Sequence, residues 1–530
     1  MPSQHGVSLA VSIITTHFGD QVGKVCGCLL RAGPLTIQEI ARYTELPHPQ
    51  LKNCLLVLIQ HNCVQAFSME KLGGFGVQVK VITQYMALFD NILHRVRFPK
   101  FIAVVAERFD KMCESLLEGL LEHGRLTLEQ VMMRAMSKRT EGNADLLRTS
   151  FTKLVHAHFV ERCPPGEPFL ETLDDSQPAK RAKSAGPPET IEQKAMKAAG
   201  LSEAERYFII SNGESNSLDT EDGEKSTTIP GKKRKHDTLE DDTEVSIHDK
   251  EVLWRPNFEE FVRCFRHKAC VERVRASLNV GAAAVLEAIL EATRSTEKKI
   301  KEEKSAPLLL ETIMQEAIRR PGSPQSIDQV RAVLDELGGH SSVEETDLLY
   351  SIDLRNIIEA ARNAEVESVV SRRYGKNAYR IFRLLVKKDC LVETERISEE
   401  TLIDKKETTK ILYRLFADGI LHMEKAASHE QARFLLWRVM KNTQWEHVLD
   451  EMYHAALNLS QRIAHELELE HEVIVRPRDQ LDEIQMKRLQ RVIKVKTGKE
   501  KDVSYRLLVN LMLKQSLPAG SGNGAERCHV

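Results

Sequence analysis

Aromatic residues make up only 5% of this 530-residue chain, a scarcity that argues against a β-sandwich or barrel, whose strands draw on aromatic and β-branched side chains. Net charge is scarce too. Lys+Arg 75 against Asp+Glu 77 leaves -2 overall, so no chain-wide positive field exists to hold a polyanion, and any nucleic-acid contact must come from a local patch. No apolar run approaches the ~18 residues that span a bilayer, and the N-terminus lacks the cationic, apolar and small-residue regions of a secretory signal. The cysteines, at positions 26, 28, 54, 63, 113, 163, 264, 270, 390 and 528, include no Cys-x-x-Cys pair, which predicts free thiols in a reducing compartment. A soluble, non-secreted protein is the expectation.

Signatures of catalysis and of cofactor binding are missing as well. Each Gly-Lys pair (Gly23-Lys24, Gly231-Lys232, Gly375-Lys376, Gly498-Lys499) lacks the glycine five positions earlier that a phosphate-cradling loop requires. Gly73-Gly74-Phe75-Gly76 is too short for a dinucleotide fingerprint and precedes a strand, so it reads as a turn. Cys264, His267 and Cys270 have suggestive spacing but no second pair, which favours helix packing over a metal. His156 and His158, two apart on an expected helix, do not share a face and read as structural. Glu240-Asp241-Asp242 reads as a solvated run. No Gly-x-Ser-x-Gly elbow or His-Glu-x-x-His occurs. The expectation is no catalytic site, no metal and no cofactor.

With some 530 residues to place, several domains are needed. The clearest break in composition covers 164–247, where Pro, Gly, Ser, Thr and acidic residues displace periodic apolar ones, and a disordered linker is expected. It carries Lys180-Arg181-Ala182-Lys183 and Lys232-Lys233-Arg234-Lys235. The second run, after Pro230-Gly231, fits a nuclear-import signal; the plainer reading is a charge run that keeps a linker solvated. A second disordered stretch is expected over 517–530.

Ahead of the linker the chain repeats itself. Leu35-Thr36-Ile37-Gln38-Glu39-Ile40 recurs as Leu126-Thr127-Leu128-Glu129-Gln130-Val131, and in each the Thr with Glu or Gln three residues on predicts a capping box after a glycine turn, at Gly33 or Gly124. An apolar stripe precedes each (Val22, Val25, Leu29, Leu30; Val105, Phe109, Met112, Leu116, Leu120), and another follows (Leu51, Cys54, Leu55, Leu58; Leu147, Phe151, Leu154, Val155). Alternating segments at 63–67 and 159–162 come next, and 77–82 returns the first as a hairpin. Three helices and a hairpin is the winged-helix order.

Two weaker units follow. In 271–354, helices are expected around Val285–Leu290, over 308–318 and after a capping box at Ser326-x-x-Gln329. In 376–440, Ile381, Phe382, Leu385 and Val386 mark the first helix and 397–403 the second. Asp404-x-x-Glu407 caps the third, and 420–423 with 434–439 forms the wing. Helices over 85–96 and 256–278 are expected to brace these units. Trp445, Val448, Met452, Ala455, Leu459 and Ile463 then recur at spacings of three and four, with a second polar helix to 511, predicting a helical hairpin or coiled coil. The expected fold class is therefore mainly α with small β-hairpins: winged helices at 1–97 and 98–163, the linker at 164–247, bracing helices and a third winged helix at 248–370, a fourth at 371–440, and the coiled coil at 441–516.

One local charge pattern stands out. Lys376, Arg380, Arg383 and Lys387 lie on one helical face, with Arg372, Arg373, Tyr374 and Lys388 adjoining. Such a face can neutralise successive phosphates or dock on an acidic surface; an ordinary solvated face is the bland alternative. Lys405, Lys406, Lys410 and Arg414 form a second candidate on the third helix of the fourth unit, the helix that commonly enters the major groove. The equivalent helices of the first two units offer Lys52, and Arg148 with Lys153.

His17-Phe18-Gly19, Gln60-His61-Asn62, 158–164, Glu367-Ser368-Val369-Val370 through Arg373, Gly375, and Arg380-Ile381-Phe382-Arg383-Leu384 occur in this order along the chain. On these residues the chain resembles the RPC3 subunits of nuclear RNA polymerase III, relatives of general transcription factor IIE alpha. The N-terminal third resembles plant forms. The resemblance implies four extended winged-helix domains followed by a coiled coil, and no catalytic role. It further implies a heterotrimer with two smaller polymerase III-specific subunits on the clamp of the largest subunit, recruitment by initiation factor IIIB, promoter opening for tRNA and 5S rRNA synthesis, weak contact with promoter DNA, and a nuclear location. A free-standing winged-helix regulator is the alternative from another class; the sparse charge on the other third helices counts against it. An enzyme is disfavoured by the missing site.

Overall fold

The computed structural model describes residues 2–71, 80–137, 144–170, 191–209, 252–294, 296, 303–324, 326–344, 347–427, 433–469 and 485–486. It divides into two compact units, one built from residues 13–258 and one from 1–12 together with 259 onward. The protein is mainly helical with four small three-stranded sheets among the described residues. No described helix is long and apolar enough to cross a membrane.

After α1 (Gln4–Phe18), the first unit runs α2 (Asp20–Ala32), α3 (Ile37–Thr44), α4 (His48–Gln60), β1 (Val64–Lys71) and β2 (Lys80–Ala87). The expected box at the start of α3 is formed: the Thr36 hydroxyl accepts from Glu39 N–H at 3.3 Å, and the Glu39 carboxylate accepts from Thr36 N–H at 2.8 Å. β1 and β2 pair antiparallel from Val64↔Ala87 to Lys71↔Lys80, and Leu35 bridges Tyr85 beside them. The glycine turn at 73–76 lies outside the described residues. Residues 85–87 finish β2, so the brace expected from 85 begins later, as α5 (Phe89–His94) and then α6 (Phe98–Arg108).

The same order returns as α7 (Lys111–His123), β3 (Leu126–Thr127), α8 (Leu128–Ser137), α9 (Ala144–His156) and β4 (Val160–Arg162). Thr127 and Gln130 exchange the reciprocal bonds of the second box, at 3.3 and 3.2 Å. The stripe from Val105 to Leu120 is two helices rather than one, because Asp110 interrupts it and caps α7 by accepting from Cys113 N–H at 2.9 Å. His158 lies beyond α9, at φ 64°, and stacks on Tyr207 with ring centroids 4.0 Å apart.

The 164–247 segment differs most from expectation. Its start and middle hold β5 (Phe169–Leu170), α10 (Ile191–Ala198) and α11 (Glu203–Arg206), and the chain returns as β6 (Leu253–Pro256) between β3 and β4. The sheet of the second module thus takes a strand from beyond the boundary expected at 163, and residues 171–190 and 210–251 lie outside the described residues. β6 pairs with Leu126–Thr127 on one side and Val160–Arg162 on the other. Trp254 is buried edge-on to Phe151, with centroids 5.2 Å apart. The buried Glu161 carboxylate takes Arg255 at 2.8 Å and Arg206 from α11, so β6 and α11 share one buried counter-charge. β5 pairs parallel with β1, and Ala195 of α10 is buried with Phe67 and Met86. Gly124, at φ 80°, faces the Gln60 carbonyl closely enough that a Cβ would collide with it. Gln60 Nε2 donates to the His123 carbonyl at 3.1 Å, and Arg125 Nε donates to Asn62 Oδ1 at 2.9 Å. The Gln60-His61-Asn62 stretch thus joins the first two modules.

The second unit opens with α12 (Phe258–Ser277) and holds two further modules. The third is α13 (Val280–Ala292), β7 (Leu308–Leu309), α14 (Leu310–Ile318), α15 (Ile327–Glu336), β8 (Gly339–Glu344) and β9 (Asp347–Ile352). A long kinked helix, α16 (Leu354–Lys388), leads into the fourth: β10 (Val392–Glu393), α17 (Thr394–Thr401), α18 (Lys405–Ala417), β11 (Leu421–Ala427) and β12 (Arg433–Val439). Last comes α19 (Lys441–Leu469). The second arm expected to 511 lies outside the described residues. Of the two caps expected in this unit, one is corrected and one is formed. Ser326 makes no side-chain cap bond at α15. Asp404 does cap α18, accepting from Lys406 N–H at 3.1 Å, but Glu407 accepts from Asn377 Nδ2 at 2.7 Å instead of closing a box. One continuous cluster of buried side chains, from Cys270 through Leu334, Phe382 and Leu412 to Trp445 and Val448, forms the core of this unit.

Candidate nucleic-acid interface

The basic patch read along 372–388 is divided by Gly375, whose φ of 86° and ψ of 179° interrupt α16 in a conformation that L side chains rarely adopt. In the segment after the break, Ala378, Ile381, Phe382 and Leu385 are buried. At 3.6 residues per turn, Lys376, Arg380, Arg383 and Lys387 fall within about 60° of one another on the opposite side. All four are exposed and make no ion pair with a described residue. Eleven residues of helix at 1.5 Å each place them along roughly 16 Å.

Before the break the charges are committed elsewhere. Arg372 donates to Ser368 Oγ at 2.8 Å and lies 3.7 Å from Glu365. Arg373 pairs with Glu451 of α19 and sits 3.7 Å from Asp418. The Tyr374 hydroxyl donates to Asp418 at 2.5 Å; burial first, and then that bond, push its pKa far above the usual phenol range. Arg414 lies over the Tyr374 ring, 5.2 Å from its centroid. Lys388 pairs with Glu400 and Lys405 with Glu395. Of the ten cations singled out, Arg372, Arg373, Lys405 and Arg414 are therefore engaged within the fold. Lys376, Arg380, Arg383, Lys387, Lys406 and Lys410 are left facing outward. Lys232, Lys233, Arg234 and Lys235 lie outside the described residues.

The four third helices can be set in common register by their buried positions: Leu51, Leu55 and Leu58 in α4; Leu147, Phe151 and Leu154 in α9; Val330, Leu334 and Leu337 in α15; Thr408, Leu412 and Leu415 in α18. The outward row is then Pro49, Asn53 and Leu56; Asp145, Thr149 and Thr152; Asp328, Ala332 and Asp335; and Lys406, Lys410 and Tyr413. Only α18 offers cations in that row. It also offers Tyr413, 45% exposed, an aromatic that charge counting passes over and that this register makes visible. Among the described residues no group of His, Cys, Asp or Glu is placed to hold a metal ion. Cys264, His267 and Cys270 are no exception, with His267 Nε2 3.1 Å from Arg266.

A mainly helical fold with small three-stranded sheets and winged-helix domains toward both ends defines the class of protein. Three family profiles match: the RNA polymerase III subunit RPC82 helix-turn-helix domain over 8–69, RNA polymerase III subunit RPC82 over 149–321, and the POLR3C C-terminal winged-helix domain over 366–439. DNA-directed RNA polymerase III subunit RPC3 from Bos taurus and from Homo sapiens are each 26% identical over 480 residues, covering 87% of this chain and 84% of theirs. The Dictyostelium discoideum subunit rpc3 is 23% identical over 654 aligned residues, covering 95% and 98%. The chain belongs to the RPC3/RPC82 family of RNA polymerase III subunits, which are non-catalytic.

Proposed function

We propose that this subunit supports initiation: four tandem winged helices, with α19 as the first arm of a coiled coil, join two smaller subunits in a heterotrimer on the polymerase clamp. There it aids recruitment by initiation factor IIIB and opening of promoter DNA for small-RNA synthesis. The nucleus is its place of work, with Lys232-Lys233-Arg234-Lys235 as an import signal. The observation that carries this reading is the set of six outward cations of the fourth module that make no ion pair with a described residue, Lys376, Arg380, Arg383, Lys387, Lys406 and Lys410. A polymerase that already holds DNA raises the local phosphate concentration, so a few cations suffice where a near-neutral chain alone binds weakly. Changing Lys376, Arg380, Arg383 and Lys387 together to Glu leaves the heterotrimer assembled and weakens open-complex formation several-fold, read by permanganate reactivity of the melted bases. Unchanged opening would show that this face is merely solvated.

A further inference from the structure

We infer that Tyr374 and Tyr379 are positioning residues for the outward cation row of α16: their hydroxyls, together with the Asn377 amide, splint the break at Gly375 and so fix where Lys376, Arg380, Arg383 and Lys387 point. This rests on the reading above that the row meets DNA, and adds what holds the row in register with α18. A break in a helix removes the backbone bonds that keep its two halves in line. Nothing packed at the break replaces them, since a Cβ built on Gly375 meets no atom within 4 Å. Burial of Val366 and Val370 before the break, and of Ala378, Ile381, Phe382 and Leu385 after it, fixes which side of each half faces the core. The angle between the halves is left to side chains.

Tyr379, after the break, reaches back across it and donates from its hydroxyl to Glu367 at 3.3 Å. Tyr374, the residue before Gly375, donates to Asp418 at the C-terminal end of α18, with Arg414 over its ring. Asn377, two residues after Gly375, donates to Glu407 in the first turn of α18 at 2.7 Å. The two sides of the break are thus tied to opposite ends of one helix, and α18 is the splint. Lys376 precedes Asn377 and Lys406 precedes Glu407, while Arg380 and Lys410 each follow three residues later. The Asn377–Glu407 bond therefore sets the two cation rows beside each other, as one duplex engaging both requires. A swing of about 20° at the break would carry Lys387, some 18 Å along the helix, by roughly 6 Å, more than the ~3.4 Å rise per phosphate along one strand.

The test removes only the hydroxyls. Tyr374→Phe with Tyr379→Phe keeps both rings and the net charge, so its effect on DNA cannot come from counting cations. In duplex titrations of the full chain over a range of salt, this pair should lower affinity about fivefold and the salt slope by roughly one, as the far end of the row leaves its phosphates. Asp418→Asn with Glu367→Gln still offers each hydroxyl an acceptor and keeps the wild-type slope. A Phe pair that melts at a lower temperature but binds DNA with the wild-type affinity and slope would overturn the inference, because the hydroxyls would then serve stability alone. Binding lost on changing the four cations to Glu, and kept in the Phe pair, also overturns it and leaves the initiation reading standing. Binding kept in both removes the reading and the inference together.

Discussion

The third and fourth modules present the same helix in the same register with opposite surfaces. α15 buries Val330, Leu334 and Leu337, and α18 buries Thr408, Leu412 and Leu415, so one inward pattern shapes both. Outward, Asp328, Ala332 and Asp335 face solvent in one and Lys406, Lys410 and Tyr413 in the other. The difference teaches that the repeat is a repeat of packing. A helical module needs only its inward rows to fold, which leaves the outward row of each copy to differ. The fourth module carries more basic than acidic residues, so the near-zero net charge of the whole chain leaves an acidic balance over the rest.

The comparison breaks most sharply in the core. Leu334→Ala and Leu412→Ala each remove a side chain with 0% exposure, and each should cost about 2–5 kcal/mol in denaturant unfolding of the full chain. A change below about 0.5 kcal/mol in either would mean that the two inward rows are not equivalent. On the surface, Lys406→Glu with Lys410→Glu should weaken binding of the isolated chain to duplex DNA by about tenfold and lower the salt slope by roughly two. Asp328→Asn with Asp335→Asn should leave both quantities where they were. Equal effects of the two pairs would dissolve the contrast.

The smallest expected effect extends the contrast to the first unit, through acid. His61 is half-buried, against the Phe18 ring at 4.6 Å, and burial, then the neighbouring Arg95, His123 and His17, lower its pKa to about 4. The unfolded chain, near 6.5, binds that proton more readily. Stability from the neutral ring is therefore complete above about pH 6.5 and declines as pH falls toward 4. Thermal melts of the full chain should show the transition that reports residues 13–258 falling between pH 7 and pH 5, less so in His61→Gln. A transition indifferent to pH over that range would contradict the assignment.

Local signals were legible in the amino-acid sequence because their causes are local. Thr36 with Glu39 and Thr127 with Gln130 announce their own helix starts, and the inward leucines of the third helices announce their faces. Pairings across long separations were not. Leu253-Trp254-Arg255 reads as the approach to a helix expected from 256, yet with Pro256 it is the central strand of a sheet whose other strands are Leu126–Thr127 and Val160–Arg162, far earlier in the chain. No periodicity encodes that return; the buried Trp254 and the Glu161–Arg255 pair reveal it only in three dimensions. Half-hidden in the same way were the roles of the cations. Counting along the chain groups Arg373 with Arg380, and only the break at Gly375 and the carboxylate of Glu451 separate a structural arginine from an outward one.

The central claim is that nucleic acid and clamp meet this subunit through the fourth module and not the third. A photo-crosslinking amino acid placed singly at Arg380, Lys410, Asp328 and Asp335, in polymerase engaged on promoter DNA, tests it most directly. The account predicts crosslinks to DNA or to the largest subunit from 380 and 410, and none to DNA from 328 or 335. Crosslinks to DNA from α15, with none from α16 or α18, would contradict it.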